Sequence, residues 1–193
     1  IAKVITGSLF DYQSSYTDLL SRRLNGEPLQ YIEEYVPFYS IQINVDQRCL
    51  IPRPETEYMI EIIKNNVIAP KKILDVGTGS GCIALMMKKL FPDSEVHAVD
   101  ISNDAITLAK ENAEINNLEV NFYQSDLLSN VEKLDFDLIV ANLPYIPTSN
   151  LPTLQKEVID YEPLIALDGG EDGLLYINKL LDNLKYSDSN DLL

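Results

Sequence analysis

The tetrapeptide Asn142-Leu143-Pro144-Tyr145 carries the parts needed to hold a planar nitrogen. The Asn142 side-chain oxygen can accept one N–H, and the main-chain carbonyl of Leu143 can accept a second. Methylating an amide or aromatic-amine nitrogen is difficult because its lone pair is delocalised. Two acceptors so placed keep the nitrogen in line for attack and draw electron density onto it. Pro144 stiffens the turn and biases Leu143 toward an extended backbone. Tyr145 offers a flat face to a planar group. No general base is needed before attack, because the proton can leave after the methyl has moved.

A second group of residues could hold the methyl donor. The apolar run Ile73-Leu74 stops at Asp75, continues Val76-Gly77-Thr78-Gly79-Ser80-Gly81, and enters the helical pattern Cys82-Ile83-Ala84-Leu85-Met86-Met87. A strand, a tight glycine turn and a helix start bring backbone amides up to a ligand, because glycine has no Cβ to obstruct the turn or the approach. The spacing is G-x-G-x-G and not the dinucleotide G-x-G-x-x-G. Asp75, at the strand's end, would repel a pyrophosphate. It suits a cationic ligand with a free ammonium and a sulfonium, and S-adenosyl-L-methionine has both. Asp100 ends the strand Val96–Asp100, 19 residues after Gly81, where nucleoside sites place an acid for the ribose hydroxyls. Asp126-Leu127 follows a third strand; the carboxylate can accept from an exocyclic amine while Leu127 packs on the ring. The same pair would also serve a plain Asx turn.

These residues need a scaffold, and the chain supplies a strand–helix alternation. After the glycine turn a helix runs to about Phe91-Pro92-Asp93. The strand Val96–Asp100 and an amphipathic helix from about Asn103 to Asn117 follow, with Ser102 as its N-cap. Next come a strand over Glu119–Tyr123 and an apolar strand over Phe136–Ala141, which reads as a central parallel strand. The pattern predicts a doubly wound α/β sheet, whose ligands bind at the carboxyl ends of the strands. His97 lies inside a strand and reads as a packed residue with no chemical role. Upstream, residues 28–50 alternate apolar and polar, and Phe38–Val45 reads as a hairpin or a pair of edge strands. Leu50-Ile51-Pro52-Arg53-Pro54-Glu55-Thr56-Glu57 predicts an extended segment and then a helix to about Asn66, with Pro54 and the two acids in its first turn. Arg53 is either a solvated residue at a rigid helix start or part of a substrate-binding set.

With 46% apolar and 23% charged residues, a chain of 193 residues can bury one ordinary core and carry an appendage. Thirty acids against fifteen bases give a net charge of −15. That argues against a surface for phosphate neutralisation. No apolar run approaches the ~20 residues needed to span a bilayer, no secretory leader pattern is present, and the expected compartment is the cytoplasm. Cys49 and Cys82 stand far apart, and His97 is the only histidine. No metal site and no disulfide framework are expected. Residues 1–27, with helical patterning over Tyr16–Leu24 and a stop at Asn25-Gly26, read as the tail of something larger. The stretch Tyr186–Leu193 follows the last helix without a closing strand.

Together, Pro28-Leu29-Gln30-Tyr31-Ile32, the Leu50–Glu57 string, Asp75–Gly81, Asn142–Tyr145 and Ala166-Leu167-Asp168-Gly169-Gly170-Glu171-Asp172-Gly173 resemble the PrmC/HemK family. These are bacterial-type N5-glutamine methyltransferases acting on peptide chain release factors. The similarity runs from about Leu19 to about Tyr186. Ile-Pro-Arg-Pro-Glu-Thr-Glu is its most specific part. The resemblance implies a Rossmann-like, seven-stranded methyltransferase sheet over residues 51–193, with its C-terminal strands missing here. It further implies a linker and hairpin over 28–50, and a helical substrate-binding domain of which 1–27 is the tail. It implies S-adenosyl-L-methionine as cofactor, with Gly77 to Gly81 at the methionine part, Asp100 at the ribose and Asp126-Leu127 at the adenine. Asn142 to Tyr145 would bind the glutamine amide of the factor's Gly-Gly-Gln loop. The family tetrapeptide is usually Asn-Pro-Pro-Tyr, and Leu143 replaces its first proline. Asn-Leu-Pro-Tyr also resembles the form found in rRNA adenine dimethyltransferases, with related forms in DNA adenine methyltransferases. An adenine-N6 enzyme is therefore one alternative, and a non-catalytic binding module of the same fold is another.

Overall fold

The computed structural model describes residues 9–132 and 135–188. The chain opens with helix α1 (Leu9–Leu24), closed by Gly26 at φ 93°, and a single helical turn, α2 (Leu29–Glu33). A two-stranded antiparallel ribbon follows, β1 (Tyr35–Phe38) and β2 (Ile41–Asn44). The hairpin thus starts earlier than the alternation over Phe38–Val45 suggests. Pro37 masks its first strand, and a proline is tolerated there because the ribbon has outer edges where no N–H is required.

Helix α3 (Pro54–Asn66) begins as its sequence dictates: Arg53 is extended, Pro54 occupies the first turn, and Glu55 and Glu57 sit at the positive end of the dipole. Then β3 (Lys72–Val76), α4 (Cys82–Leu90), β4 (Glu95–Asp100), α5 (Asn103–Asn116), β5 (Asn121–Gln124) and β6 (Leu138–Ala141) build a parallel sheet of order β5-β4-β3-β6. Ser102 caps α5, its hydroxyl accepting from Ala105 N at 3.2 Å. Short helix α6 (Lys156–Tyr161) and helix α7 (Leu175–Asp188) complete the described chain.

Two sequence expectations about this sheet need correction. The described residues hold four parallel strands in this sheet, of the seven that the resemblance implied for the whole family fold. Within that set β6 is an edge strand, paired with β3 alone, and not a central one. It starts at Leu138 because the Asp137 carboxylate caps the neighbouring strand instead, accepting from Lys71 N and Lys72 N at 2.6 and 3.0 Å. β5 begins two residues later than read, since Asn117 ends α5 in the left-handed conformation and Leu118 N is tied back to Ala113 O. The Tyr186–Leu193 reading falls partly on 189–193, outside the described residues.

Alternation along β3 sends its side chains to opposite faces. Ile73 joins a core built with the hairpin, α3 and α4, while Leu74 and Val76 join one with Leu128, Leu143 and Leu180 of α7. Both faces are covered, as a parallel sheet requires. One polar side chain ties this scaffold together. Asn112 of α5 is fully buried. Its amide oxygen accepts from Asn44 N at 2.7 Å, and its amide nitrogen donates to Asn44 O at 3.0 Å and to Ser80 O at 2.9 Å. The ribbon and the glycine turn are thereby held to one helix. Replacing Asn112 by Ala strands three backbone polar groups, and should cost about 3 kcal/mol, read as a lower midpoint in urea unfolding.

Candidate active site

The carboxyl ends of β3 and β6 lie side by side because Val76 pairs with Ala141. The next residues are therefore Gly77 on one strand and Asn142 on the other. The sheet reverses direction here: from β3 the chain steps outward to β4 and β5, then returns to the opposite side of β3 as β6. Doubly wound sheets bind ligands at such a switch point. A Cβ on Gly77, at φ 74°, would lie 3.1 Å from Leu143 Cδ2 and 4.0 Å from the Asn142 carbonyl oxygen. Glycine is what lets the two loops meet.

The glycine turn is held by main-chain bonds. Gly77 N and Thr78 N both donate to Val99 O at 2.9 Å. Gly79 N donates to Asp100 Oδ2 and Ser102 N to Asp100 Oδ1, each at 2.9 Å. Burial raises the Asp100 carboxyl above the usual carboxylate range, against the lowering effect of those backbone bonds. Thr78 is buried, and its hydroxyl donates to Asp75 Oδ2 at 2.6 Å; Ala84 N donates to the same oxygen at 3.1 Å.

A cavity opens over this turn, lined by Gly77, Thr78, Gly79, Ser80, Asp100, Asp126, Leu127, Asn142, Leu143, Pro144 and Arg53. Three of the sequence-selected residues lie elsewhere. Asp75 is 0% exposed and sits beneath the turn, facing no cavity. Its Oδ1 has no hydrogen-bond partner, and burial pushes its carboxyl up to about 7. It braces the turn, so the expectation that it faces a cationic ligand is corrected. Gly81 packs on α5, where a Cβ would lie 3.1 Å from Ala109 Cβ. Tyr145 is 63% exposed and lines an adjoining groove, which shares Leu50, Arg53, Thr56, Asn142 and Ala166 with the cavity.

Leu143 is 7% exposed and packs with Leu74, Val76 and Val99. A buried aliphatic side chain anchors the loop where the family pattern has a proline ring. Leu127 stands at φ 49°, which turns the chain sharply after Asp126.

Arg53 is paired, its side chain still 35% exposed. It donates to Glu162 Oε1 at 2.5 Å, and Glu162 Oε2 accepts from Ile51 N at 3.1 Å, with the Glu162 side chain 1% exposed. Glu162 escaped the sequence reading because its partner lies 109 residues away; the only signal was an arginine held between two prolines. Cys49 and Cys82 also line the cavity. Burial raises both thiols, Cys82 to about 12, and keeps them neutral. Among the described residues no cluster of side chains could hold a metal ion, and no helix is long and apolar enough to cross a membrane. His97 is half-buried, edge-on to Tyr123 and Phe136, with Nε2 at 3.0 Å from Glu95.

A parallel sheet with a glycine turn after one strand, an acid after the next and an Asn-Leu-Pro-Tyr loop beside them defines a Rossmann-like methyltransferase fold. The methyltransferase small domain family matches residues 54–161, and the chain belongs to that family. Curated relatives bear out the resemblance drawn from the motifs. The release factor glutamine methyltransferase of Koribacter versatilis is 44% identical over 175 residues, 88% of this chain and 62% of its own length. That of Thermodesulfovibrio yellowstonii is 43% identical, over 86% of this chain and 61% of its own. The chain thus spans about three fifths of the relatives it matches. Among solved structures, the hMettl16 catalytic domain in complex with the MAT2A 3'UTR hairpin 6 superposes with a TM-score of 0.56 at 16% identity, covering 77% of this chain and 58% of that one. This likeness is one of fold.

The buried Asp75 has a consequence for stability. Its folded-state value near 7 stands above the ordinary carboxylate value near 3.9. Such a group stabilises the fold fully below the unfolded value, and its contribution is lost as pH rises through the folded one. Asp75→Asn should remove that dependence. Between pH 4.5 and 8 the wild type should lose about 2 kcal/mol or more relative to the variant, measured by urea unfolding at each pH.

Proposed function

We propose that this site transfers a methyl group from S-adenosyl-L-methionine to the side-chain amide nitrogen of a glutamine, the glutamine of the Gly-Gly-Gln loop in peptide chain release factors. The observation that supports the reading is the register Val76 to Ala141, which brings Asn142 and Leu143 beside the glycine turn at the switch point. The names of the relatives supply the substrate class.

The residues present fit the cofactor. Gly79 stands at φ 54° with open space where a Cβ would be, and Asp100 and Asp126 present carboxyl groups along the same cavity. Gly77 to Ser80 would take the methionine part, Asp100 the ribose, and Asp126 with Leu127 the adenine. When bound, the cofactor supplies an electrophilic methyl on a sulfonium. The Asn142 side-chain oxygen would accept one hydrogen of the glutamine amide and the Leu143 carbonyl the other, fixing the nitrogen and raising its electron density. Pro144 stiffens the loop, and Tyr145 would lie along the groove through which the peptide reaches Asn142. Arg53, locked to Glu162, would form the wall between cavity and groove. Residues 51–193 would be the catalytic part, 28–50 a linker and ribbon, and 1–27 the end of a helical substrate-binding part. The reaction belongs to the cytoplasm, where release factors work.

A nucleic-acid substrate finds no support in the charge of −15, since a basic approach surface is what such enzymes need. The test offers the full-length protein, with methyl-labelled cofactor, a release factor and rRNA side by side. Label should enter the factor, and none should enter a factor whose loop glutamine is replaced; label on RNA alone rejects the reading. Asn142→Ala should lower turnover by ~10²-fold or more and leave cofactor affinity within a few-fold. An unchanged rate removes Asn142 from the reaction.

A further inference from the structure

The string Asp168-Gly169-Gly170-Glu171-Asp172-Gly173 touches no part of the proposed cofactor cavity, yet it packs onto the tetrapeptide from behind. Ile146 N donates to Leu167 O at 3.1 Å and Gly169 N to Ile146 O at 2.8 Å, a parallel bridge directly after Tyr145. Thr148 N donates to Gly170 O at 2.8 Å. The Asp168 carboxylate closes the corner, its Oδ1 accepting from Thr148 Oγ1 at 2.7 Å and from Gly170 N at 3.0 Å. The Thr148 bond, with Gly170 N second, holds that carboxyl below its ordinary range.

Glycine is required where the two segments meet. A Cβ on Gly169 would stand 2.7 Å from Tyr145 Cα, and one on Gly173, at φ 78°, would fall on the Tyr145 carbonyl oxygen. Two backbones are thus in direct contact, with no side chain between them to yield.

We propose that the 168–173 loop is a positioning brace for the tetrapeptide. Asp168 and Thr148 would clamp its far end, and Gly169 and Gly173 would fix its depth, so that Asn142 and the Leu143 carbonyl stay at the nitrogen they hold. Asp168, Thr148, Gly169 and Gly173 touch neither substrate nor cofactor in this scheme; they act through the loop. A shift of about 1 Å in such acceptors can cost on the order of 10²-fold in rate. The inference rests on the proposed function for its kinetic arm, and has a second arm that does not.

Both arms use Thr148→Val and Asp168→Ala, which remove the corner bond from a half-exposed site, with Thr148→Ser and Asp168→Asn as variants that keep it. Gly173→Ala is the severe form. Hydrogen exchange followed by mass spectrometry should show the amides of Tyr145, Ile146 and Thr148 exchanging about tenfold faster in Thr148→Val and Asp168→Ala. Those of β3 and α4 should be unchanged, and the two conservative variants should match the wild type. In methyl transfer to a release factor, the same two variants should lose about tenfold in kcat with KM for the cofactor within twofold, and the conservative pair should regain it. Exchange that stays at wild-type rate overturns the brace whatever the substrate is. So does faster exchange with kcat intact. If the wild type fails to methylate the factor, the proposed function falls, and the exchange arm alone decides the brace.

Discussion

The pairing of Val76 with Ala141 is the constraint on which the site depends. Parallel strands have a fixed register, and a slip of one residue would turn every side chain to the other face. Here Leu74 and Val76 must face Leu128, Leu143 and Leu180 while Ile73 faces the opposite core. The alignment observed with β6 meets this requirement on both faces of β3. That alignment delivers Gly77 and Asn142 to the same level, and Gly77 has no Cβ to keep Leu143 at a distance. The two loops are juxtaposed by core packing, before any group specific to the chemistry is considered.

What lies around this junction is held by few but costly polar contacts. Asn112 joins ribbon, helix α5 and glycine turn through three bonds made by one amide. Glu162, almost wholly buried, meets Arg53 and Ile51 N and so fastens the segment before α3 to the chain after α6. A buried carboxylate left without its partner is strongly unfavourable, whereas the same pair intact contributes little net stability. The value of such a contact lies in specifying one arrangement. Both contacts join parts distant in sequence and hold a residue that lines the cavity, Ser80 in one case and Arg53 in the other.

The strand–helix alternation, the glycine turn and the level at which Asp100, Asp126 and Asn142 emerge were legible because each rests on local pattern: apolar period, turn residues, caps. The chemistry of Asp75 was misread for a definite reason. Its position in sequence places it at a strand end, but whether a carboxylate there faces ligand or helix depends on the Thr78 hydroxyl and the Ala84 N–H, which reach it only after the turn folds back. The ribbon's first strand was hidden by Pro37, and the partner of Arg53 by 109 intervening residues. Edge against centre for β6 was not legible at all, since an apolar run such as Leu138–Ala141 reads the same in either place. Leu143 stands where the family pattern has a proline, and its burial against Leu74 and Val99, which the tetrapeptide alone does not reveal, gives the loop a different anchor.

Asp75 and Asp100 expose a tension built into the site. Burial raises both carboxyl groups, and each lies close enough to the other for Asp100 to raise Asp75 further. Two acids in low dielectric penalise one another when ionised, and a cation in the adjoining cavity relieves that penalty for both. The same carboxylates that make the fold less stable toward alkaline pH would favour a positively charged ligand in the proposed site. Asp75 keeps one oxygen unbonded and so takes this cost without touching the cavity. It contributes its field and its grip on Thr78, while Asp100 lines the cavity. The division of labour follows from depth: the residue that shapes the turn is sealed beneath it, and the one that lines the cavity is not.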